Sequence, residues 1–282
     1  MGGRLTLGDL LRLVKWPVSA LSAVATASGY LAWARELRSG ILAVCGGVFL
    51  IACAGSVLNQ AVEHRHDALM ERTRQRPIPA RKLTPRAAVL GAVLVGLGGF
   101  ICLEVGGGPV AALLGLAAVL WYAAVYTPLK RLTAFAMLPG ALIGAASPAI
   151  GWFGAGGSLA DARVLGLSFF WFMWQVPHFA LLFARHGGEY RAAGFPTLPL
   201  SDSALTRSTF VWIAATAVSA LLIPVFGISG SPWVGPALGA AGAVLCAIGY
   251  ASLARRAFAR AFRTINLYAL LVLALVTVDS LL

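Results

Sequence analysis

Apolar runs of about 18 to 23 residues recur along nearly all of this 282-residue chain, parted by short clusters of glycine, proline or charge. Each run is long enough, as a helix, to cross a hydrocarbon layer about 30 Å thick. Inside such a layer every backbone polar group must find its partner within the protein, which leaves helices or a closed barrel. A barrel would show weak alternation over about ten-residue strands, and these runs are continuous. The fold class expected is therefore all-α: a polytopic membrane protein of about nine transmembrane helices around a central cavity. The spans are predicted at about 16–34, 41–62, 87–104, 109–127, 134–154, 164–184, 208–228, 232–252 and 264–282, with RELRSG, EVGGGP, PLKRLT, AGGSLADAR, SGSP and ARRAFARAFR among the separators. Composition agrees. Only 11% of residues are charged, against about 25% in soluble domains, and mean hydropathy is +0.84. The 32 glycines suit close helix approach in lipid. One domain over 1–282 is expected, and MGGRLTLGDLLRLVK reads as the lead into the first span and not as a cleavable signal.

The formal net charge is +12. On a soluble chain that would suggest nucleic acid, but here membrane topology accounts for it. With the N-terminus inside and nine passes, only Arg35, Arg38 and Arg163 of the 22 basic residues fall outside, as the positive-inside rule requires. The chain is thus expected to lie in a bacterial plasma (inner) membrane with its N-terminus cytoplasmic and its C-terminus outside. No nucleic-acid partner is expected. Cys45, Cys53, Cys102 and Cys246 stand singly in or beside apolar runs with no CxxC, which points to neither a disulfide framework nor a metal site.

Three polar clusters interrupt the apolar background. The first is LNQAVEHRHDALMERTRQRPIPARK, residues 58–82. Helical residues four apart advance about 400°, so each lies about 40° round and about 6 Å along from the last. Asn59, Glu63 and Asp67 thus form one stripe at the inner end of the second span. Acids at membrane depth are costly and line a cavity or pair with something. Oxygen ligands on one face suit Mg²⁺, which completes its shell with water and phosphate oxygens. Arg72, Arg74 and Arg76 follow with charge for phosphates. The plainer reading is a solvated helix end with ordinary positive-inside charge. The second cluster is YTPLKRLT, residues 126–133, with Tyr126, Pro128, Lys130 and Arg131; its plainer reading is an aromatic belt and a basic loop. The third is WQVPHFALLFARHGGEYRAAGFPTLP, residues 174–199. There Gln175 and His178 are polar positions near a helix that Pro177 would kink, and Glu189 and Tyr190 lie in the next inner loop. A lone membrane histidine is also often a packing residue. Taken together, the clusters put acids, a lysine, several arginines and a histidine on one membrane face. Such a set suits a metal–diphosphate site beneath an apolar cavity, with a lipid tail between the helices.

At these residues the chain resembles the UbiA superfamily of membrane prenyltransferases, and within it the branch that farnesylates heme. The resemblance runs from about residue 15 to the C-terminus and rests on LNQAVEHRHDALMERTRQRPIP, on YTPLKRLT followed by LPGALIGAASPAIGW, and on WQVPHF with EYRAAGFPTLP. It implies an Mg²⁺-dependent prenyltransferase that joins farnesyl diphosphate to a vinyl group of heme b. The partners it implies are those two substrates, the lipid bilayer, and heme A synthase or oxidase assembly proteins. The implied metal ligands are Asn59, Glu63, Asp67 and Glu189, and these with Lys130 form the implied catalytic set. Arg72, Arg76, Tyr126, Arg131, Gln175, His178 and Tyr190 form the implied substrate-binding set. The chain departs from the family pattern at four places. Arg65 stands where a further acid is usual, Arg81 where glycine is common after RPxPA, and Ala134, Phe135 and Ala136 where polar residues follow the YTxxKRxT pattern. Gly187 and Gly188 precede Glu189 where another charge is frequent. Alternatives are another enzyme of the superfamily acting on an aromatic acid or quinone precursor, and a non-catalytic heme-handling assembly factor.

Overall fold

The computed structural model describes residues 4–197 and 201–282; Leu198 and Pro199, the end of the GFPTLP stretch, lie outside the described residues. A short helix, α1 (Leu7–Leu13), meets α2 (Trp16–Ala34) at a 54° bend. Then come α3 (Gly40–Asp67), α4 (Pro85–Leu120), α5 (Met137–Gly154), α6 (Arg163–Ala192), α7 (Asp202–Ala220), α8 (Val234–Ala254) and α9 (Phe258–Leu281). Among the described residues there are no strands.

Seven helices are long and apolar enough to cross a membrane, and α1 with α2 counts as an eighth, bent span. One of the seven, Pro85–Leu129, has 45 residues. Straight, it would reach about 68 Å, twice the hydrocarbon thickness. It does not run straight. Gly108 has φ 76° and ψ 179°, left-handed and open to glycine at little cost. Pro109 opens the second leg, where its missing N–H costs nothing. A Cβ on Gly115 would collide with Leu103, so the two legs lie side by side. The protein therefore makes about nine passes, as the sequence predicts.

Neighbouring helices pack in chain order, and α9 closes the ring against α2 and α6. One apolar core joins α6 to α9, another joins α2 to α5. Small residues set the closest crossing. A Cβ on Gly29 would strike the Pro148 carbonyl, and one on Gly151 the Thr26 carbonyl, so α2 and α5 touch backbone to backbone, the approach that lipid-embedded helices favour.

The two ends of the bundle are tied differently. At the end opposite the site, buried Asp279 accepts from the backbone N–H of Gly230 at 2.9 Å and Ser231 at 2.8 Å and pairs with Arg35 at 3.3 Å. Arg35 also donates to the Ile228 carbonyl. One carboxylate thus ties α9, the α7–α8 connection and the end of α2. Asp279→Ala is expected to destabilise the fold by about 1–3 kcal/mol, because two backbone donors lose their acceptor; a thermal unfolding assay in detergent measures it. At the other end, Lys82 donates to Asp9 at 2.8 Å and ties α1 to the α3–α4 loop. Lys82 holds the Asp9 carboxyl down to about 2, from an ordinary 3.8. A depressed carboxylate contributes stability that is full above its unfolded value of 3.8 and is lost as pH falls from there through about 2.

Candidate functional site

The helix carrying the first cluster runs further than its apolar pattern. No breaker follows residue 62, and α3 continues to Asp67. The acids therefore hang from a rigid helix. Asn59, Glu63 and Asp67 are 2%, 3% and 1% exposed, which excludes a solvated helix end. Each meets a base from a different segment. Lys15 Nζ lies 3.4 Å from Asn59 Oδ1, Lys130 Nζ 2.6 Å from Glu63 Oε2, and Arg76 Nη1 2.7 Å from Asp67 Oδ2.

Local chemistry brings those segments in. Lys15 sits in the α1–α2 bend with φ 46°. The Thr73 hydroxyl donates to the Asp67 carbonyl at 2.8 Å, winding the loop back under α3 so that Arg76 reaches the acid. After α4 the chain widens into a π-helical turn, Trp121–Tyr126, then Thr127–Leu129, a feature frequent at functional sites. Thr127 donates to the Tyr122 carbonyl at 2.8 Å and accepts from Asn59 Nδ2 at 3.2 Å. The YTP stretch thus orients Asn59 and delivers Lys130 to Glu63.

Above these charges opens a cavity of about 800 Å³. Its α3 wall steps from Val48 to Asp67, about 28 Å at 1.5 Å per residue. It is apolar along Val48, Ile51, Val119 and Ile150 and basic at the inner mouth. Tyr122 and Tyr126 stack at 5.4 Å, and Tyr126 lies on Gly140, where any Cβ would stand 2.6 Å from its ring. Gln175 occupies the space over Gly144 in the same way. His178 and Phe262 form part of the opposite wall. Pro177 deprives the Met173 carbonyl of its helical donor, and the Thr216 hydroxyl stands between that carbonyl at 3.0 Å and the Trp212 carbonyl at 2.8 Å, with one proton for the two.

Ten of the twelve residues expected at the site line this cavity: Asn59, Glu63, Asp67, Arg72, Arg76, Tyr126, Lys130, Gln175, His178 and Tyr190. Two do not. Glu189 and Tyr190 do not lie in a loop, because α6 stays helical to Ala192; Glu189 accepts from the Arg72 backbone N–H at 3.3 Å and faces His186 at 3.5 Å, so it holds the α3–α4 loop to the end of α6 and does not stand beside Glu63 and Asp67. Arg131 donates to the Val62 carbonyl at 2.8 Å, bracing α3 from outside. Lys15, Arg12 and Tyr122 line the cavity without having been singled out. Lys15 looked like one more topology charge. The signal was its place, at the foot of the first span directly before Trp16 and Pro17.

Among the described residues no three His, Cys, Asp or Glu side chains gather as a metal nest, so the expected set with Glu189 is not assembled. The stripe on α3 nevertheless fits Mg²⁺. Glu63 Oε1 is buried with no hydrogen-bond partner, an orphan that calls for a positive group. Mg²⁺ needs only one or two carboxylates when phosphates complete its shell.

Comparisons with known proteins give the family and the fold. The UbiA prenyltransferase family model matches residues 16–277. A protein named protoheme IX farnesyltransferase from Geobacter sulfurreducens is 41% identical over 236 residues, 82% of this chain and 86% of that one. One of the same name from Oleidesulfovibrio alaskensis is 37% identical over 95% of both. A digeranylgeranylglyceryl phosphate synthase structure shares the fold with TM-score 0.74, 15% identity and 98% coverage of both chains. A UbiA homolog from Archaeoglobus fulgidus bound to GPP and Mg²⁺ shares it with TM-score 0.70 and 13% identity, over 94% of this chain and 99% of that one. A family model that matches residues 16–277, with relatives this similar over most of their length, makes this chain a member of the UbiA prenyltransferase family.

Proposed function

We propose that the protein is a protoheme IX farnesyltransferase: it moves the farnesyl group of farnesyl diphosphate to a heme b vinyl group and makes heme O for heme–copper oxidases. The observation that carries this reading is the stripe of buried acids, each held by a base, at the mouth of an apolar cavity about 800 Å³ in volume. The two relatives bearing that name support the choice of acceptor.

The residues divide the work. The inner mouth holds Lys15, Arg72, Arg76 and Lys130 against the acids Glu63 and Asp67, an excess of positive charge suited to a diphosphate. Without substrate, Lys130 and Arg76 neutralise the two carboxylates. Mg²⁺, when bound with the diphosphate, neutralises charge on the leaving group, and Glu63, Asp67 and Asn59 are the oxygens that would hold it. Lys130 and Arg76, at the same mouth, would hold the phosphate oxygens, where charge grows as the C1–O bond breaks. Diphosphate leaves with the bonding pair. The terminal vinyl carbon bonds to C1, the cation moves to the carbon beside the porphyrin ring, and water adds there with loss of a proton. The apolar walls keep bulk water from the allylic cation until the vinyl group has reacted. Glu189 serves this site by holding the α3–α4 loop to the end of α6 under the mouth, and Arg131 by bracing α3.

Charge asymmetry supports a bacterial inner-membrane location with the site on the cytoplasmic side, the N-terminus inside and the C-terminus outside. Heme A synthase or oxidase assembly proteins are the partners that the product's use implies. The test is transfer from labelled farnesyl diphosphate by the purified protein, with and without Mg²⁺, to heme b, 4-hydroxybenzoate or a quinone precursor. Transfer to heme b alone, abolished by EDTA, is expected. Preference for an aromatic acid or quinone precursor contradicts the acceptor, and Mg²⁺-independent transfer contradicts the stripe's role.

A further inference from the structure

We infer that Asn266 on α9 is a positioning residue that fixes His178 as the Nδ1–H imidazole, leaving the unprotonated Nε2 as an axial ligand for the iron of the porphyrin acceptor. The inference rests on the proposed function, which supplies an iron porphyrin, and assigns the contact that would hold it.

The proton is placed by a chain of two hydrogen bonds. Asn266 Nδ2 lies 2.7 Å from the Phe262 carbonyl. A carbonyl only accepts, so the amide nitrogen must be at that end and Oδ1 must face His178. His178 Nδ1 is 2.9 Å from Oδ1, which cannot donate, so Nδ1 carries the hydrogen. A neutral imidazole then has its lone pair on Nε2. Among the described residues Nε2 has no hydrogen-bond partner, while His178 lines the cavity. The ring is held on its other sides by Trp174 and Phe262, both at 4.8 Å between centroids, and by Phe179 at 5.9 Å. Trp174 is itself tied to α9, donating from Nε1 to the Ile265 carbonyl at 3.1 Å. Two successive turns of α6 are thus latched to adjacent residues of α9.

A metal-binding histidine characteristically donates its second ring N–H to an oxygen, which fixes the tautomer and raises its basicity; a ligand that stays neutral and apolar-walled suits heme iron. Asn266 is the oxygen here. The diphosphate bases have no part in this arrangement, so its loss should be felt by the acceptor alone.

The experiment titrates ferric heme, and separately iron-free protoporphyrin IX, into the purified full chain, with absorption and EPR spectra as readout. Wild type is expected to show imidazole ligation. His178→Ala should lose that signature and bind heme at least tenfold more weakly while binding protoporphyrin IX unchanged, and added imidazole should restore the signature. Asn266→Leu should weaken heme affinity about 10- to 100-fold, and Asn266→Asp, which keeps an oxygen opposite Nδ1, should recover it. Unchanged farnesyl diphosphate affinity in each variant confirms folding. An Asn266→Leu protein with wild-type spectra and affinity overturns the positioning role. A His178→Ala protein with intact ligation overturns the iron contact while leaving the proposed function standing. Wild type that binds neither porphyrin overturns the acceptor assignment and this inference with it.

Discussion

Asp67→Ala is expected to lower prenyl transfer by about 10²–10³-fold or more, the scale on which one preorganised charge-stabilising group acts, with insertion into the membrane unchanged. Asp67 is 1% exposed and its one carboxylate partner is Arg76 at 2.7 Å. Removing it takes away one of the two carboxylates available to Mg²⁺ on α3. Arg76 borders the cavity and is 17% exposed, so it can turn toward substrate or water, and the fold tolerates the change. Transfer rates at saturating farnesyl diphosphate decide the matter. Activity close to wild type in the purified variant would remove Asp67 from the metal assignment.

Lys130→Met should be as damaging to activity and more damaging to stability. Glu63 is 3% exposed, has Lys130 Nζ at 2.6 Å and already has one oxygen without a partner. Without the lysine it is an unpaired buried charge, a loss of about 3–5 kcal/mol. Two consequences separate the roles of this lysine. The double variant Glu63→Gln/Lys130→Met should regain thermal stability yet stay inactive, because the phosphate contact is still missing. Mg²⁺ should raise the melting temperature of Lys130→Met more than that of wild type, since the cation replaces the lost positive charge. Equal Mg²⁺ responses would contradict cation binding at Glu63.

The helical spans were legible because their signal is local: each apolar run carries its own length, and α2 to α9 fall where those runs lie. The stripe was legible for the same reason, since Asn59, Glu63 and Asp67 share one helix and its period places them. What the sequence hid depends on where separate segments meet. Lys15 looked like a topology charge because nothing near it in the chain reveals that the α1–α2 bend aims it at Asn59, 44 residues away. Glu189 and Arg131 are expected at the site because the resemblance matches them to the family's second acidic motif and its basic loop. Adjacent residues face different partners, and of these two Glu189 holds the α3–α4 loop while Arg131 braces α3 at Val62. Asn266 carries no motif. Its part shows only when α9 is packed on α6 and its amide bridges Phe262 and His178.

The most direct measurement of the central claim is made in a bacterium deprived of its own heme O-forming enzyme. With this chain expressed in its membrane, extracted hemes should include heme O, identified by mass as heme b plus a farnesyl group and a hydroxyl group, and Asp67→Ala in the same host should yield none. Extracts holding heme b alone, from cells in which the wild-type chain is folded and abundant in the membrane, would contradict it.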